Sequence, residues 1–211
     1  MFSKMQKLIL AALLGAPMLA QAAPVNLVQN GSFETIAGGQ SGVITLIANS
    51  SRLSGWQVGA QGAELRHNTV GQASDGKYFL ELDVSKNSSV SQILNTVAGQ
   101  WYTLSFDYSN RAGTAVNSNG LGWSVGGAME IAPELAYNRS KGNVWSHIDW
   151  SWQATGSSTT LSFYGLGKSD GLGTSLDNIA VTSAVPEPES LALAALGLFF
   201  VGLVSRRRKS A

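Results

Sequence analysis

From Gly76 onward the chain alternates: Tyr78, Leu80, Leu82 and Val84 fall on one side, Lys77, Phe79, Glu81 and Asp83 on the other, after a Ser74-Asp75-Gly76 turn signal. A period of two sustained over that length marks a half-buried β-strand. The rhythm returns after Gly99, with Tyr102, Leu104, Phe106 and Tyr108 opposed to Trp101, Thr103, Ser105 and Asp107. It returns again from Val144, where Ile148, Trp150 and Trp152 oppose Trp145, His147 and Asp149. Leu161 with Phe163 and Ile179 with Val181 add two strands, and Val43 to Ala48, Ser89 to Leu94 and Leu121 to Val125 are weaker ones. Helix-period segments are hard to find among them. About eight or nine short strands without intervening helices predict an all-β fold, a jelly-roll β-sandwich of two antiparallel sheets. An immunoglobulin-like sandwich is the second choice, and the missing cysteines remove one of its marks.

The two ends break this pattern. Lys4 and Lys7 precede an apolar stretch from Leu8 to Leu19, and Ala20-Gln21-Ala22 has the small-x-small form that signal peptidase cuts. Residues 1–22 therefore read as a signal helix, which implies the Sec translocon and signal peptidase as partners. At the other end Pro186-Glu187-Pro188 precedes an apolar run from Leu191 to Val204, then Arg206, Arg207, Arg208 and Lys209. Residues 190–205 as a helix span roughly 24 Å, short of a hydrocarbon core of about 30 Å but able to cross if the bilayer thins. The basic residues 206–211 would stay in the cytoplasm, leaving the preceding chain outside. The three parts resemble the PEP-CTERM sorting signal of Gram-negative bacteria. That resemblance implies an exosortase as processing enzyme, transient residence in the inner membrane with the domain on its periplasmic side, and final release or attachment at the cell surface or in the extracellular matrix.

Between the ends lie a single domain over residues 23–182 and a linker at 183–189, with no internal repeat. All six tryptophans lie in the domain, and there is no cysteine, so neither a disulfide nor a thiolate metal site is available. Six of the chain's 14 Lys and Arg belong to the signal and the tail, whereas only two of its 13 acids do. The exported part is thus mildly acidic, and its few bases are scattered. Nucleic acid, which demands clustered positive charge, is excluded as a partner.

The opening Asn26-Leu27-Val28-Gln29-Asn30-Gly31-Ser32-Phe33-Glu34, the Ser54-Gly55-Trp56 after it, the strand at Gly99-Gln100-Trp101-Tyr102-Thr103-Leu104-Ser105-Phe106 and the closing Ser175-Leu176-Asp177-Asn178-Ile179-Ala180-Val181 are similar to the galactose-binding-like jelly rolls of carbohydrate-binding modules. The resemblance implies binding of glycan or exopolysaccharide at the cell surface. No cofactor is required for that role. The resemblance does imply a structural calcium ion tying the first strand to the last through Glu34 and Asp177, against the plainer reading of a strand-end acid and a turn residue. Trp150 and Trp152 share a face with Ile148 and read as core, whereas Trp145, His147 and Asp149, and Trp101 with Asp107, lie on the opposite faces and are the glycan-contact candidates.

No catalytic residue is assigned. Gly122-Trp123-Ser124-Val125-Gly126 has the spelling of a nucleophile elbow, but its alternation is that of a strand rather than of a strand-to-helix turn. Glu81 and Asp83 have the spacing of a glycosidase acid pair, and the ordinary reading is two solvated strand acids. A matrix protein without a specific ligand is the alternative function, and a glycan- or ester-hydrolysing enzyme a remote one.

Overall fold

The computed structural model describes residues 25–183 apart from 40 and 128. The signal segment, the Pro-Glu-Pro motif, the apolar run and the basic cluster lie outside the described residues. Among the described residues no helix is long and apolar enough to cross a membrane, and the regular structure is strand except for a 3-10 turn at Val116–Ser118.

Eleven strands form in chain order: β1 Gly42–Leu46, β2 Gln57–Val58, β3 Ala63–His67, β4 Tyr78–Glu81, β5 Ser89–Asn95, β6 Trp101–Ser109, β7 Leu121–Val125, β8 Met129–Ile131, β9 Ser146–Gln153, β10 Ser158–Gly165 and β11 Ser175–Ser183. They make a six-stranded sheet in the order β1-β3-β4-β11-β6-β9 and a five-stranded sheet in the order β2-β5-β10-β7-β8. Every pairing is antiparallel. The chain repeatedly crosses from one sheet to the other, giving a jelly-roll sandwich. Every strand expected from alternation is present; β2, β3 and β8 are additional.

The inner faces hold the core. Leu104, Phe106 and Leu176 from the large sheet meet Val90, Leu94, Trp123, Leu161 and Phe163 from the small one, all buried. Phe106 sits edge-on to Trp123 and Phe163, with ring centroids 5.2 and 5.0 Å away. Trp152 stacks on Tyr102 at 5.4 Å and is buried, while Trp150 packs edge-on to Trp123. Trp152 is core and the half-buried Trp150 packs against it, on the face that their parity with Ile148 predicts.

The outer face of β4 departs from its sequence reading. Phe79, Glu81 and Asp83 are fully buried rather than solvated, and strand pairing stops at Glu81 rather than running to Val84. The cause is a second layer. The β3–β4 loop folds back over the large sheet and meets the segment entering β9: Trp145 Nε1 and Asn143 Nδ2 both donate to the Gln72 carbonyl, at 3.0 and 3.1 Å. Val144 N donates to Ser109 Oγ at 2.9 Å, and the Trp145 ring lies edge-on to Phe79 at 5.9 Å. That layer covers Phe79; Glu81 and Asp83 are closed over by the β10–β11 connection, whose Gly173 amide donates to Glu81 Oε1 at 2.9 Å and whose Asp170 and Gly171 amides donate to Asp83 Oδ2 at 3.0 and 3.2 Å. There Glu81 pairs with Arg66, itself only 1% exposed, and with Arg111 at 3.3 Å, while Arg66 also pairs with Glu64 at 2.7 Å.

Candidate functional site

The cover ends at Trp145. Beyond it the outer face formed by β11, β6 and β9 lies open. Register fixes what stands there: Trp101 is opposite Gln153, Thr103 opposite Ser151, Ser105 opposite Asp149 and Asp107 opposite His147. Successive outward residues on a strand are two apart, so Trp101 to Asp107 makes a strip roughly 20 Å long at about 3.3 Å per residue. At one end the Trp101 side chain is 52% exposed. At the other, His147 and Asp149 are 50% and 66% exposed at the side chain. Thr103 and Ser151 hydroxyls lie 3.1 Å apart between them, and Gln153 Nε2 donates to the Gly99 carbonyl at 2.8 Å. All of β6, β9 and β11 contain no Lys or Arg.

The structure therefore brings Trp101, His147 and Asp149 onto one accessible surface. Trp145 shares the parity of His147 but is half-buried and tied to the β3–β4 loop, so it is the wall that ends the strip rather than an open platform. Sequence parity identified these residues on separate strands; the register that places Asp107 beside His147 was not legible in it.

Asp107 anchors the polar end. Its Oδ2 accepts from Ser74 Oγ at 2.5 Å and Asn178 Nδ2 at 3.0 Å, and its Oδ1 accepts from His147 Nδ1 at 2.5 Å. Asn178 reaches it because β11 bulges between Asp177 and Ala180, with Asn178 at φ 51°. Burial opposes ionisation of Asp107, but the hydrogen bonds from Ser74, Asn178 and His147 together hold its carboxyl below the ordinary value. In turn the hydrogen bond to Asp107, with the charges of Asp107 and Asp149, raises His147 above its usual pKa in spite of slight burial. His147 Nε2 faces Asp149 at 3.4 Å. The imidazole is thus oriented between two carboxylates, with no nucleophile on it.

Glu34 and Asp177 do not fit the implied calcium ion. Glu34 Oε1 accepts from the amides of Lys77 and Tyr78 at 2.6 and 2.7 Å. Asp177 accepts from the amides of Ser74, Asp75 and Asn178 at 2.7, 3.0 and 2.7 Å. Both carboxylates are taken up as acceptors for the amides of one turn, whereas a hard cation needs a cage of six to eight oxygens free to face it. Among the described residues no three His, Asp or Glu gather as metal ligands. Two glycines enforce the arrangement: a Cβ on Gly76 would run into the Glu34 carboxylate, and one on Gly31 into the Ile179 carbonyl.

The hydrolase candidates stand apart. Ser124 lies within β7 of the five-stranded sheet, its hydroxyl 3.1 Å from Tyr164 OH, whereas His147 is on the other sheet. Glu81 is fully buried with its two arginines. Burial pushes it up to about 7 despite Arg66, the Gly173 amide and Arg111.

With this geometry in view, comparison with known proteins places the chain. Residues 26–182 match the family described as "Protein of unknown function (DUF642)". The chain belongs to that family. The DUF642 domain is followed, over residues 184–209, by a match to the PEP-CTERM protein-sorting motif, so the protein is directed to secretion and the cell surface. A curated relative, the multifunctional-autoprocessing repeats-in-toxin of Vibrio cholerae serotype O1 (strain ATCC 39315 / El Tor Inaba N16961), is 30% identical over 159 residues, which is 75% of this chain and 3% of the toxin. The chain thus spans a small fraction of that relative's length. Among solved structures, a family 16 carbohydrate-binding module is 16% identical, with 74% of this chain and 99% of that one covered and a TM-score of 0.48. The CBM22-1 xylan-binding domain of Xyn10C from Paenibacillus barcinonensis is 18% identical, with coverage of 79% and 99% and a TM-score of 0.45.

Proposed function

We propose that this DUF642 protein is an exported, non-enzymatic glycan-binding protein of the cell surface or extracellular matrix, which holds polysaccharide along the open strip of its six-stranded sheet. The observation that carries this reading is Trp101, an indole 52% exposed on a regular strand at the head of a row of hydroxyl, amide, carboxylate and imidazole groups. A pyranose ring has an apolar face and a rim of hydroxyls. An indole face next to fixed polar groups complements both, and stacking orders few torsions. The strip is several sugar rings long, which favours a polymer over a monosaccharide. Asp107 needs no proton from the ligand; it orients His147 so that Nε2 and Asp149 face outward as the polar end of the strip.

Trafficking follows from the two termini. The Sec translocon carries the chain out and signal peptidase cleaves after Ala22. Residues 190–205 hold it transiently in the inner membrane with Arg206 to Lys209 inside, and an exosortase cuts at Pro186-Glu187-Pro188. The placement of Ser124 and Glu81 supports a binding rather than a hydrolytic role.

The test is to titrate the mature chain with a panel of soluble neutral and acidic polysaccharides, following tryptophan fluorescence and thermal midpoint. Saturable quenching with a raised midpoint for at least one polysaccharide is expected. If no member changes either signal, the glycan-binding reading fails and the ligand-free matrix protein replaces it. Turnover of any member that is lost in Ser124→Ala or Glu81→Gln would instead make the protein an enzyme.

A further inference from the structure

At the end of the sandwich where β6 runs out, a cavity of about 310 Å³ opens between Asn110 and the segment that leads into β9. It is distinct from the Trp101 strip, and its chemistry is the opposite. Tyr137, Asn138, Arg139 and Ser140 line it together with Asn110 and Ser146, and no Asp or Glu does. Arg66 and Arg111 are matched to glutamates elsewhere, but among the described residues Arg139 has no acid partner. The Tyr137 side chain is 48% exposed.

The turn that presents Arg139 is rigidly built. Asn138, nearly buried, donates through Nδ2 to the carbonyls of Asn110 and Gly142 at 3.0 and 2.9 Å, and its Oδ1 accepts from Ser140 N and Oγ at 3.0 and 2.7 Å. Asn110, also buried, donates to the Leu135 and Ala136 carbonyls at 2.9 and 3.3 Å, and Gly113 N donates to the Asn138 carbonyl at 2.9 Å. The backbone on both sides of Arg139 is thus fixed before any ligand arrives, which lowers the ordering cost of binding.

We infer that this cavity binds a carboxylate-bearing sugar, a uronic acid residue of a polysaccharide. A guanidinium is the donor best matched to a planar carboxylate, giving two parallel charge-assisted hydrogen bonds. A half-open phenol ring beside it offers a stacking face and a hydroxyl to the sugar ring. The volume lies at the lower end of small-molecule sites, which run from about 300 to 1,000 Å³, and suits one or two rings. The Trp101 strip is less suited to such a residue, since its one imidazole, His147, is already held between Asp107 and Asp149 and β6, β9 and β11 carry no Lys or Arg. The two surfaces divide the labour by charge: neutral rings on the strip, acidic ones at Arg139.

The mature chain is titrated with D-glucuronate, D-glucose, acetate and a short Glu-rich peptide at fixed ionic strength, following binding by calorimetry and the Tyr137 and Asn138 signals by NMR. Glucuronate is expected to saturate and to outbind the other three. Arg139→Gln is expected to weaken it about tenfold or more, the scale of one lost charge-assisted pair, with the thermal midpoint unchanged because the exposed Arg139 side chain makes no hydrogen bond or ion pair among the described residues. Arg139→Lys restores part of the affinity, and Trp101→Ala leaves it untouched, which separates this site from the strip. Equal binding of glucuronate and glucose, or an unaltered Arg139→Gln, overturns the inference. Equal affinity for acetate or the peptide overturns it as well, by showing an anion site without sugar recognition.

Discussion

Arg66 and Glu81 show how far a residue's neighbours decide its role. Alternation along β4 marks Glu81 as an outward acid, and it is outward; what the pattern does not contain is the β10–β11 connection, which returns over that position from remote sequence and donates the Gly173 amide to it. Buried charges survive there because each is matched. Removing one partner of a buried pair leaves the other uncompensated, typically at a cost of about 3–5 kcal/mol. Arg66→Ala is therefore expected to lower stability by that order in chemical denaturation, more than Arg52→Ala, whose side chain makes only an exposed hydrogen bond to the Ala37 carbonyl. The residues of the open strip were partly legible: Trp101, His147 and Asp149 were separable from Trp150 and Trp152 by parity alone. Tyr137 and Arg139 carried no signal, since they lie in an irregular connection where no periodicity tells cavity from solvent.

At the scale of elements, the long strands β6 and β9 were legible because each pairs an apolar row with a polar one over eight or more residues, whereas β5 gave a weaker signal because Gln92 interrupts its inner row and Ile93 stands outward. β2 and β8, with two and three residues, offer too few positions for a period to register. β3 has the pattern, with Ala63 and Leu65 inward against Glu64 and Arg66, but only five residues of it. The first and last segments are joined by close packing and by hydrogen bonds: Leu27 N donates to the Val181 carbonyl, Val181 N to Asn26 Oδ1 and Ile179 N to the Gly31 carbonyl. Gly31→Ala forces a Cβ into the Ile179 carbonyl and should destabilise the domain by more than about 2 kcal/mol, measured by the shift of a urea midpoint at unchanged slope. The Glu34 and Asp177 carboxylates accept from the amides of residues 74 to 78 along the same seam. A chelator should accordingly leave the thermal midpoint where it is, and a fall of several degrees on chelation would restore the calcium.

For the whole molecule, the buried acids set how stability follows pH. Burial raises Glu81 from 4.5 to about 7 and Asp177 from 3.8 to about 7, the latter despite amide hydrogen bonds from Asp75, Asn178 and Ser74. A folded-state pKa above the unfolded one means the folded chain keeps its proton longer. That stabilisation is complete below the unfolded values and lost as pH rises toward 7. His147 acts in the same sense, its contribution complete below about 6.5 and lost as pH passes its raised value. Asp107 acts oppositely, losing its contribution as pH falls below 3.8 through its lowered value. The thermal midpoint should therefore be higher at pH 5 than at pH 8, by roughly 5 °C or more. Glu81→Gln should make that slope shallower but not flat, because Asp177 remains. A midpoint that rises from pH 5 to pH 8 would contradict this reading of the two acids.

Under the proposed function the open strip of the exported sandwich meets polysaccharide, and Trp101 is where that proposal is most exposed. The direct measurement is retention of the mature chain and its Trp101→Ala variant on a column of the host's own surface polysaccharide, with melting curves taken on the same samples. Retention of the native chain, its loss in the variant and superimposable melts are the expected result. A variant that is retained as well as the native chain, melting at the same temperature, would contradict the account.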